Sequence, residues 1–415
     1  MSAAKRKPFN IDKVQVLKAY KLVKANAGAP GVDNETIELF EKSLKDNLYQ
    51  IWNRMSSGSY FPPAVRAVPI PKKNGGQRIL GVPTVADRVA QTVVKLQIEA
   101  TLEAIFLPDS YGYRPGKSAL DAVGVTRQRC WRMDWVLEFD IRKLFDEIPH
   151  GLLLKAVRKH VKDGWAVLYI ERWLKAPMQL EDGTMVARDR GTPQGGVISP
   201  VLANLFLHYA FDMWMQRSFL QLPWCRYADD GLVHCRTLDE AKAIKAALQA
   251  RLKECGLEMH PDKTKIVYCK DSNRRGDHPN KAFDFLGFTF RAREARNKLN
   301  DKTFGSFTPA ASKASLQFMR DKIKELKLHR HSQISIDDIA RDLNPVLSGW
   351  IQYYGKYGAT EMRKLYHYVE QTLIRWARKK FRRRHLSKTA AAAMLHSLRA
   401  TKPRLFAHWA RLAAA

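Results

Sequence analysis

Apolar residues recur at near-helical spacing through the first sixty positions: Val14, Leu17 and Val23, then Leu39, Leu44, Leu48 and Ile51. Such spacing predicts helices with one buried face. Between the two sets lies a turn-rich loop, Ala27-Gly-Ala-Pro-Gly-Val-Asp33, and Pro62-Pro63 ends the helical pattern. Val65-Arg-Ala-Val-Pro-Ile70 then alternates like a strand, and a tip from Lys72 to Gln77, with Asn74, Gly75 and Gly76, leads into Arg78-Ile-Leu80. That is a hairpin signature. From Trp135 to about Phe290 short apolar strands (Trp135 to Phe139, Leu232 to Cys235) alternate with helices such as Val201 to Met215, and after Ser312 the pattern is helical to the end. No repeat of fixed period suggests a solenoid. No apolar run reaches the length of a membrane span and Met1 to Lys7 lead into no signal-peptide core, so no membrane partner is expected.

At 415 residues the chain exceeds one typical core, so two or three packed subdomains are expected. Charge changes the picture more than length does. Seventy-one Lys and Arg against 41 Asp and Glu give a net charge of +30. Such an excess repels itself in a compact state and points to a polyanionic partner, nucleic acid ahead of an anionic membrane surface or a merely solvated basic face. Residues 371–415 hold twelve Lys and Arg and no Asp or Glu, which marks the C-terminus as a nucleic-acid-contacting surface. Cys130, Cys225, Cys235, Cys255 and Cys269 are odd in number and form no C-x-x-C pair, so neither a disulfide framework nor a zinc site is expected. A reducing cytoplasmic setting follows.

Two segments place acids beside apolar strands. One is Val136-Leu-Glu-Phe-Asp140 with Ile141-Arg-Lys-Leu-Phe145 after it; the other is Cys225-Arg-Tyr-Ala-Asp-Asp230 followed by Gly231-Leu-Val233. An Asp-Asp step between strands reads as a hairpin turn projecting two carboxylates. At ~4 Å and an effective dielectric near 20, two like charges repel by about 4 kcal/mol. Oxygen-seeking Mg²⁺ is the natural counterion, and two ions about 3.5–4 Å apart would stabilise both oxygens of an in-line phosphoryl displacement. Asp337-Asp338 is also an Asp pair, but Ser335, Ile336 and Ile339 around it read as a helix start. Spacing alone does not bring Asp140 beside Asp229 and Asp230. A further signal is Gly191-Thr-Pro-Gln-Gly-Gly-Val-Ile-Ser-Pro200, opening a helix at about Val201. Its glycines permit close backbone approach, and free amides at a helix start favour phosphate or base contacts; an ordinary Pro-Gly loop explains the glycines but not Gln194 among them.

Tyr227-Ala-Asp-Asp230 resembles the signature box of reverse transcriptases, and Phe139-Asp140 to Phe145-Asp146 their first carboxylate motif. Thr192-Pro-Gln-Gly195 through Pro200-Val-Leu-Ala-Asn204 is similar to the nucleotide-pocket motif. Upstream, Ile70-Pro-Lys72, Arg78, Gly81-Val-Pro-Thr84, Asp87-Arg88 and Tyr111-Gly-Tyr-Arg-Pro-Gly116 resemble the fingers blocks. Downstream, His260-Pro-Asp-Lys263 and Phe285-Leu-Gly-Phe288 resemble the last palm motifs. Gly28-Ala-Pro-Gly-Val-Asp33 and Leu347-Ser-Gly-Trp-Ile-Gln-Tyr-Tyr354 resemble the extra N-terminal block and the thumb, or maturase domain, of the enzymes encoded in bacterial group II introns. His329-Arg-His331 comes without paired cysteines, and no H-N-H endonuclease is expected.

The resemblance implies an α+β right-hand polymerase: a helical N-terminal extension (1–61), fingers and an antiparallel-sheet palm (62–295), an α-helical thumb (296–370) and a basic nucleic-acid-binding segment (371–415). It implies that Asp140, Asp229 and the main-chain carbonyl of Ile141 hold two Mg²⁺ ions, with Asp230 closing the catalytic constellation. Lys72 and Arg78 would reach the incoming triphosphate, Gln194 would line the nucleotide pocket with Lys263 among the nucleotide contacts, and Phe145 would press on the sugar where a 2′-OH would be. Core packing beside Leu144 and Ile148 is the alternative for Phe145. Arg114, Arg375, Arg382, Arg383 and Arg384 would contact nucleic acid. The implied partners are intron RNA, an RNA template with its DNA primer, deoxynucleoside triphosphates and target DNA, in a bacterial cytoplasm. Two other functions stay open: a splicing factor whose polymerase is dispensable, and a domesticated relative in DNA repair or phage defence.

Overall fold

The computed structural model describes residues 7–71, 75–296, 301–330, 333–382 and 385–413. The chain divides into two compact units, Met1–Ala122 with Leu137–Lys265, and Val123–Val136 with Ile266–Ala415.

The first unit opens with α1 (Lys13–Asn26), α2 (Ile37–Lys42) and α3 (Leu44–Ser57), the helices foreseen from the apolar spacing. Asp12 caps α1 by accepting from Val14 N, and Thr36 caps α2. The loop between them is pinned by Arg88, which donates to the carbonyls of Ala27 and Ala29 at 3.0 Å each. β1 (Val65–Pro71) and β2 (Gln77–Val82) form the expected hairpin, in register from Arg66↔Val82 to Pro71↔Gln77. Lys72, assigned to the triphosphate, lies outside the described residues.

Then come α4 (Val85–Glu103), largely buried and burying polar Asp87, Arg88, Gln91 and Thr92 along with its apolar residues, α5 (Ala119–Arg132) and β3 (Trp135–Asp140). They are followed by α6 (Leu144–Glu147), α7 (His150–His160), α8 (Gly164–Lys175), β4 (Met178–Gln179) and β5 (Met185–Val186). The helix expected over Val201 to Met215 is α9 (Ser199–Leu207), a π-helical turn (His208–Asp212) and α10 (Met213–Ser218) in succession. Pro200 stands in its first turn, where its missing N–H costs nothing. β6 (Trp224–Tyr227), β7 (Asp230–Cys235), α11 (Leu238–Glu254) and β8 (Lys265–Tyr268) complete this run. The sheets are ordered β2-β1-β4-β5 and β6-β7-β3-β8, so β3 and β7 are neighbours despite 89 intervening residues.

The second unit holds the antiparallel sheet β11-β10-β9, made of β9 (Ala282–Phe285), β10 (Phe288–Arg296) and β11 (Thr303–Ala311). Four longer helices and a short one follow: α12 (Lys313–Glu325), α13 (Ile336–Tyr354), α14 (Ala359–Lys380), α15 (Lys388–Thr401) and α16 (Ala407–Ala413). Leu316, Met319, Leu343, Leu365, Trp376 and Trp409 belong to one core. The boundary drawn at 370/371 falls inside α14, and that at 295/296 inside β10. The basic C-terminal segment therefore shares its core with the helices before it. Asp337 and Asp338 start α13, where Ser335 and Asp338 form a reciprocal capping box, as their neighbours foretold.

Candidate active site

β6 and β7 are joined by a tight turn: Tyr227 pairs with Asp230, leaving Ala228 and Asp229 at the corner. Ala228 is held in the left-handed region at φ 57°. The chain of Gly112 runs so close that a Cβ there would lie 2.5 Å from the Ala228 nitrogen, so only glycine fits. Because β7 lies beside β3, the turn presents Asp229 and Asp230 to Asp140, and Ile141 N donates to the Asp229 carbonyl at 3.2 Å.

Asp229 and Asp230 are largely buried, and their electrostatics follow. Burial first, then the charges of Asp229 and Asp140, push Asp230 up to about 7. Asp229 is raised by burial and then by Asp140. Lys263 donates from Nζ to Asp140 Oδ2 at 2.7 Å. Burial alone would lower its pKa, but that hydrogen bond and the surrounding carboxylates hold it above the ordinary lysine value. Lys263, foreseen as a nucleotide contact, thus sits on a catalytic candidate as a local counter-charge.

Among the described residues no three His, Cys, Asp or Glu side chains are drawn together closely enough to hold an ion as they stand. The donor set still fits a hard divalent cation: every side chain offers oxygen, and Asp140 raises the proton affinity of both Asp229 and Asp230 although the Lys263 cation partly offsets it.

Phe145, Gln194 and Ile79 of the β1–β2 hairpin meet around a cavity of about 180 Å³, lined also by Asp146 and Arg188. Arg78 Nε donates to Gln194 Oε1, and Gln194 Nε2 donates to both Asp146 oxygens at 3.1 Å. Gln194 is further fixed through its backbone, whose carbonyl accepts from Gly81 N at 2.7 Å. Gly195 follows at φ 116°, where a Cβ would sit 2.9 Å from the Gly81 oxygen. Thr192 N donates to the Phe145 carbonyl at 2.6 Å, tying the Gly-Pro-Gln loop to α6. Phe145 is 8% exposed, with its remaining surface on the cavity.

Asp87 and Arg88 hold the framework. Asp87 accepts from Tyr60 Oη, Trp173 Nε1 and Gln91 Nε2, and Gln91 Oε1 accepts from Val197 N at 2.8 Å, steadying the start of α9. Arg114, expected to contact nucleic acid, is turned inward: its side chain is 6% exposed, pairs with Glu103 at 2.9 Å and donates to the carbonyls of Leu107 and Ser110. Arg375 and Arg382 are exposed, while Arg383 and Arg384 lie outside the described residues. Asp146 and Arg188 received no role from the sequence, although both line the cavity of Phe145 and Gln194. Their only signal was position: Asp146 adjoins Phe145, and its partner Gln194 is 48 residues away.

Comparison with known proteins accounts for this arrangement. The family described as reverse transcriptase (RNA-dependent DNA polymerase) matches residues 70–290, and the group II intron maturase-specific domain matches residues 316–392. Protein YkfC of Escherichia coli is 30% identical over 319 residues, 65% of this chain and 78% of its own. The group II intron-encoded protein LtrA of Lactococcus lactis is 34% identical over 193 residues, 46% of this chain but only 32% of that protein. Among solved structures, telomerase from Candida albicans overlaps 90% of this chain and 67% of its own at a TM-score of 0.46 and 13% identity. Family membership implies divalent metal ions and the substrates of reverse transcription, the maturase domain implies intron RNA, and among the described residues no helix is long and apolar enough to cross a membrane. The chain belongs to the reverse transcriptase (RNA-dependent DNA polymerase) family, in the form that carries a group II intron maturase domain.

Proposed function

We propose that this chain copies RNA into DNA and also binds the RNA of a group II intron, assisting its splicing and retrohoming. The observation that carries the reading is the meeting of Asp140 with Asp229 and Asp230 at the ends of neighbouring strands. Asp140, Asp229 and the Ile141 carbonyl are assigned as holders of two Mg²⁺ ions, with Asp230 completing the set. When bound, such ions stabilise charge on the attacking and leaving oxygens of phosphoryl transfer. Arg78 and Lys72 bring cations to the triphosphate of the incoming deoxynucleotide, Arg78 through a planar fork suited to phosphate. Lys263, already beside Asp140, adds a third. Gln194 lines the pocket, held by Arg78 and Asp146, and Phe145 closes the sugar side against a 2′-OH.

Residues 1–61 are assigned as the N-terminal extension, 62–295 as fingers and palm, 296–370 as thumb and 371–415 as the basic segment, with Arg375 and Arg382 to Arg384 gripping intron RNA or target DNA. A bacterial cytoplasmic setting accords with the Escherichia coli relative. Primer extension on an RNA template with Mg²⁺ tests the reading, together with binding of intron RNA by the same preparation. DNA synthesis by the parent and none by Asp229→Ala or Asp140→Ala, with RNA binding retained in both, is the expected result. Polymerisation by either variant within a few-fold of the parent would remove the metal assignment. RNA binding without synthesis by the parent would leave a splicing factor alone, and catalytic intron RNA around the gene separates both from a domesticated enzyme.

A further inference from the structure

Beneath the turn that carries Asp229 and Asp230 lies a side chain that no motif assignment uses. Arg226, on β6, is fully buried, and all five of its N–H donors are engaged. Nε and Nη2 grip Asp212 as a fork, at 2.8 Å to Oδ1 and 2.7 Å to Oδ2. Nη2 also donates to Ser110 Oγ at 2.8 Å. Nη1 donates to Asn204 Oδ1 at 3.0 Å and to the main-chain carbonyl of Ala228 at 3.1 Å.

The last bond matters most. Ala228 is in a left-handed conformation that L-residues other than Asn, Asp and Gly disfavour by roughly 1–2 kcal/mol. Its carbonyl is drawn back toward the guanidinium, and its direction sets where the next two residues, both aspartates, project. The other ends of the network lie on separate elements: Ser110 before α5, Asn204 on α9 and Asp212 in the π-helical turn. Asn204 also donates to the Gly112 carbonyl at 2.7 Å, fastening the turn that presses on Ala228. Four stretches of chain thus converge on one cation, which a fold needing only bulk at this place would fill more cheaply with apolar side chains.

The geometry assigns Arg226 as a positioning residue for the catalytic carboxylates, acting through the Ala228 carbonyl and braced by Asp212. This rests on the reading of Asp229 and Asp230 as metal-holding groups. Arg226 touches neither substrate nor ion; it fixes the turn so that both carboxylates face Asp140 before any ion arrives, in the way outer partners orient ligating groups.

The test uses the full chain in four forms: parent, Arg226→Lys, Arg226→Met with Asp212→Leu, and Asp229→Ala. Lysine keeps a cation opposite Asp212, but its single nitrogen cannot span both Asp212 and the Ala228 carbonyl. The double variant removes both charges at once, so neither is left buried alone. Melting and circular dichroism establish folding, and primer extension on RNA is titrated with Mg²⁺ and with deoxynucleotide. For folded Arg226→Lys or the double variant, kcat should fall about 10- to 100-fold and the Mg²⁺ midpoint should rise, the scale seen when outer partners of metal ligands are lost. KM for deoxynucleotide should stay within about threefold, since the nucleotide contacts are untouched. A folded variant with the parent's kcat and Mg²⁺ midpoint would overturn the assignment. So would loss of folded protein in both arginine variants, which would make Arg226 a stability element only. Asp229→Ala separates the two readings: if it still makes DNA the turn is not catalytic, whereas an inactive Asp229→Ala beside a parent-like Arg226→Lys overturns the positioning role alone.

Discussion

Phe145 and Asp230 each carry a physical commitment that a single substitution exposes. If the Phe145 ring excludes ribonucleotides by volume, Phe145→Val opens space for a 2′-OH while deoxynucleotide incorporation falls more modestly. If the ring is only core, Phe145→Ala costs about 3–5 kcal/mol and depresses both substrates together. The ratio of kcat/KM for the two sugars decides, because lost folded protein scales both terms equally; an unchanged ratio in the Val variant removes the gate. Asp230, at about 7 in the folded chain against an ordinary carboxylate value of 3.8, binds its proton more tightly folded than unfolded between those limits. Without metal, the resulting stability is present at low pH and is lost as pH rises toward 7. Under chelation, Asp230→Asn should therefore lose less Tm than the parent between about pH 5 and pH 8. Parallel Tm–pH curves would show that Asp230 does not titrate as described. At this scale the sequence was informative wherever a residue's neighbours in the chain defined its chemistry. Asp229-Asp230 between strands and Asp337-Asp338 after Ser335 were separable by local context. Asp146, Arg188 and Arg226 were not, because their partners lie far off in sequence.

Among the elements, hydrophobic period foretold the N-terminal helices, the β1–β2 hairpin and the helical second unit, but it misplaced the buried face of the first helices: Val14, Leu17 and Leu39 are exposed, while Val16, Ala19, Tyr20, Ile37 and Phe40 are buried. The adjacency of β3 and β7 was invisible to spacing and entered only through resemblance to a known family. The π-helical turn His208–Asp212 was invisible too: an amphipathic pattern continues through it, while one extra residue per turn brings Asp212 to Arg226. The inward pairing of Arg114 with Glu103 was hidden in the same way, since only the fold brings the two together. The capping box of α13 provides an element-level test. Ser335 Oγ accepts from Asp338 N at 3.1 Å, so Ser335→Ala should lower stability by about 0.5–2 kcal/mol, read as a shift in the urea midpoint. DNA synthesis per folded molecule should be unchanged, because this Asp pair only begins a helix. A fall in kcat without a fall in stability would mean that the pair does more.

For the molecule as a whole, the excess of 30 positive charges sets how it meets a polyanion, and its distribution makes the effect local. Twelve of the 71 Lys and Arg lie in the last 45 residues, a stretch that itself contains no Asp or Glu. The side chains Arg382, Arg383 and Arg384 are the densest part of that run. If each neutralises one phosphate of bound RNA, each releases condensed counterions, and affinity acquires a salt slope of about −0.7 to −0.9 per contact. Replacing all three with alanine should then flatten the plot of log Kd against log salt by roughly two to three units. Affinity should fall most at low salt, where the released counterions contribute most. The acids proposed to be catalytic, Asp140, Asp229 and Asp230, lie in the other compact unit, so kcat on a saturating template should hardly change. Filter binding of intron RNA from low to moderate salt, paired with primer extension at saturation, separates the two effects. An unchanged slope would mean that these arginines only solvate the chain, and a lost kcat at saturation would place them in catalysis instead.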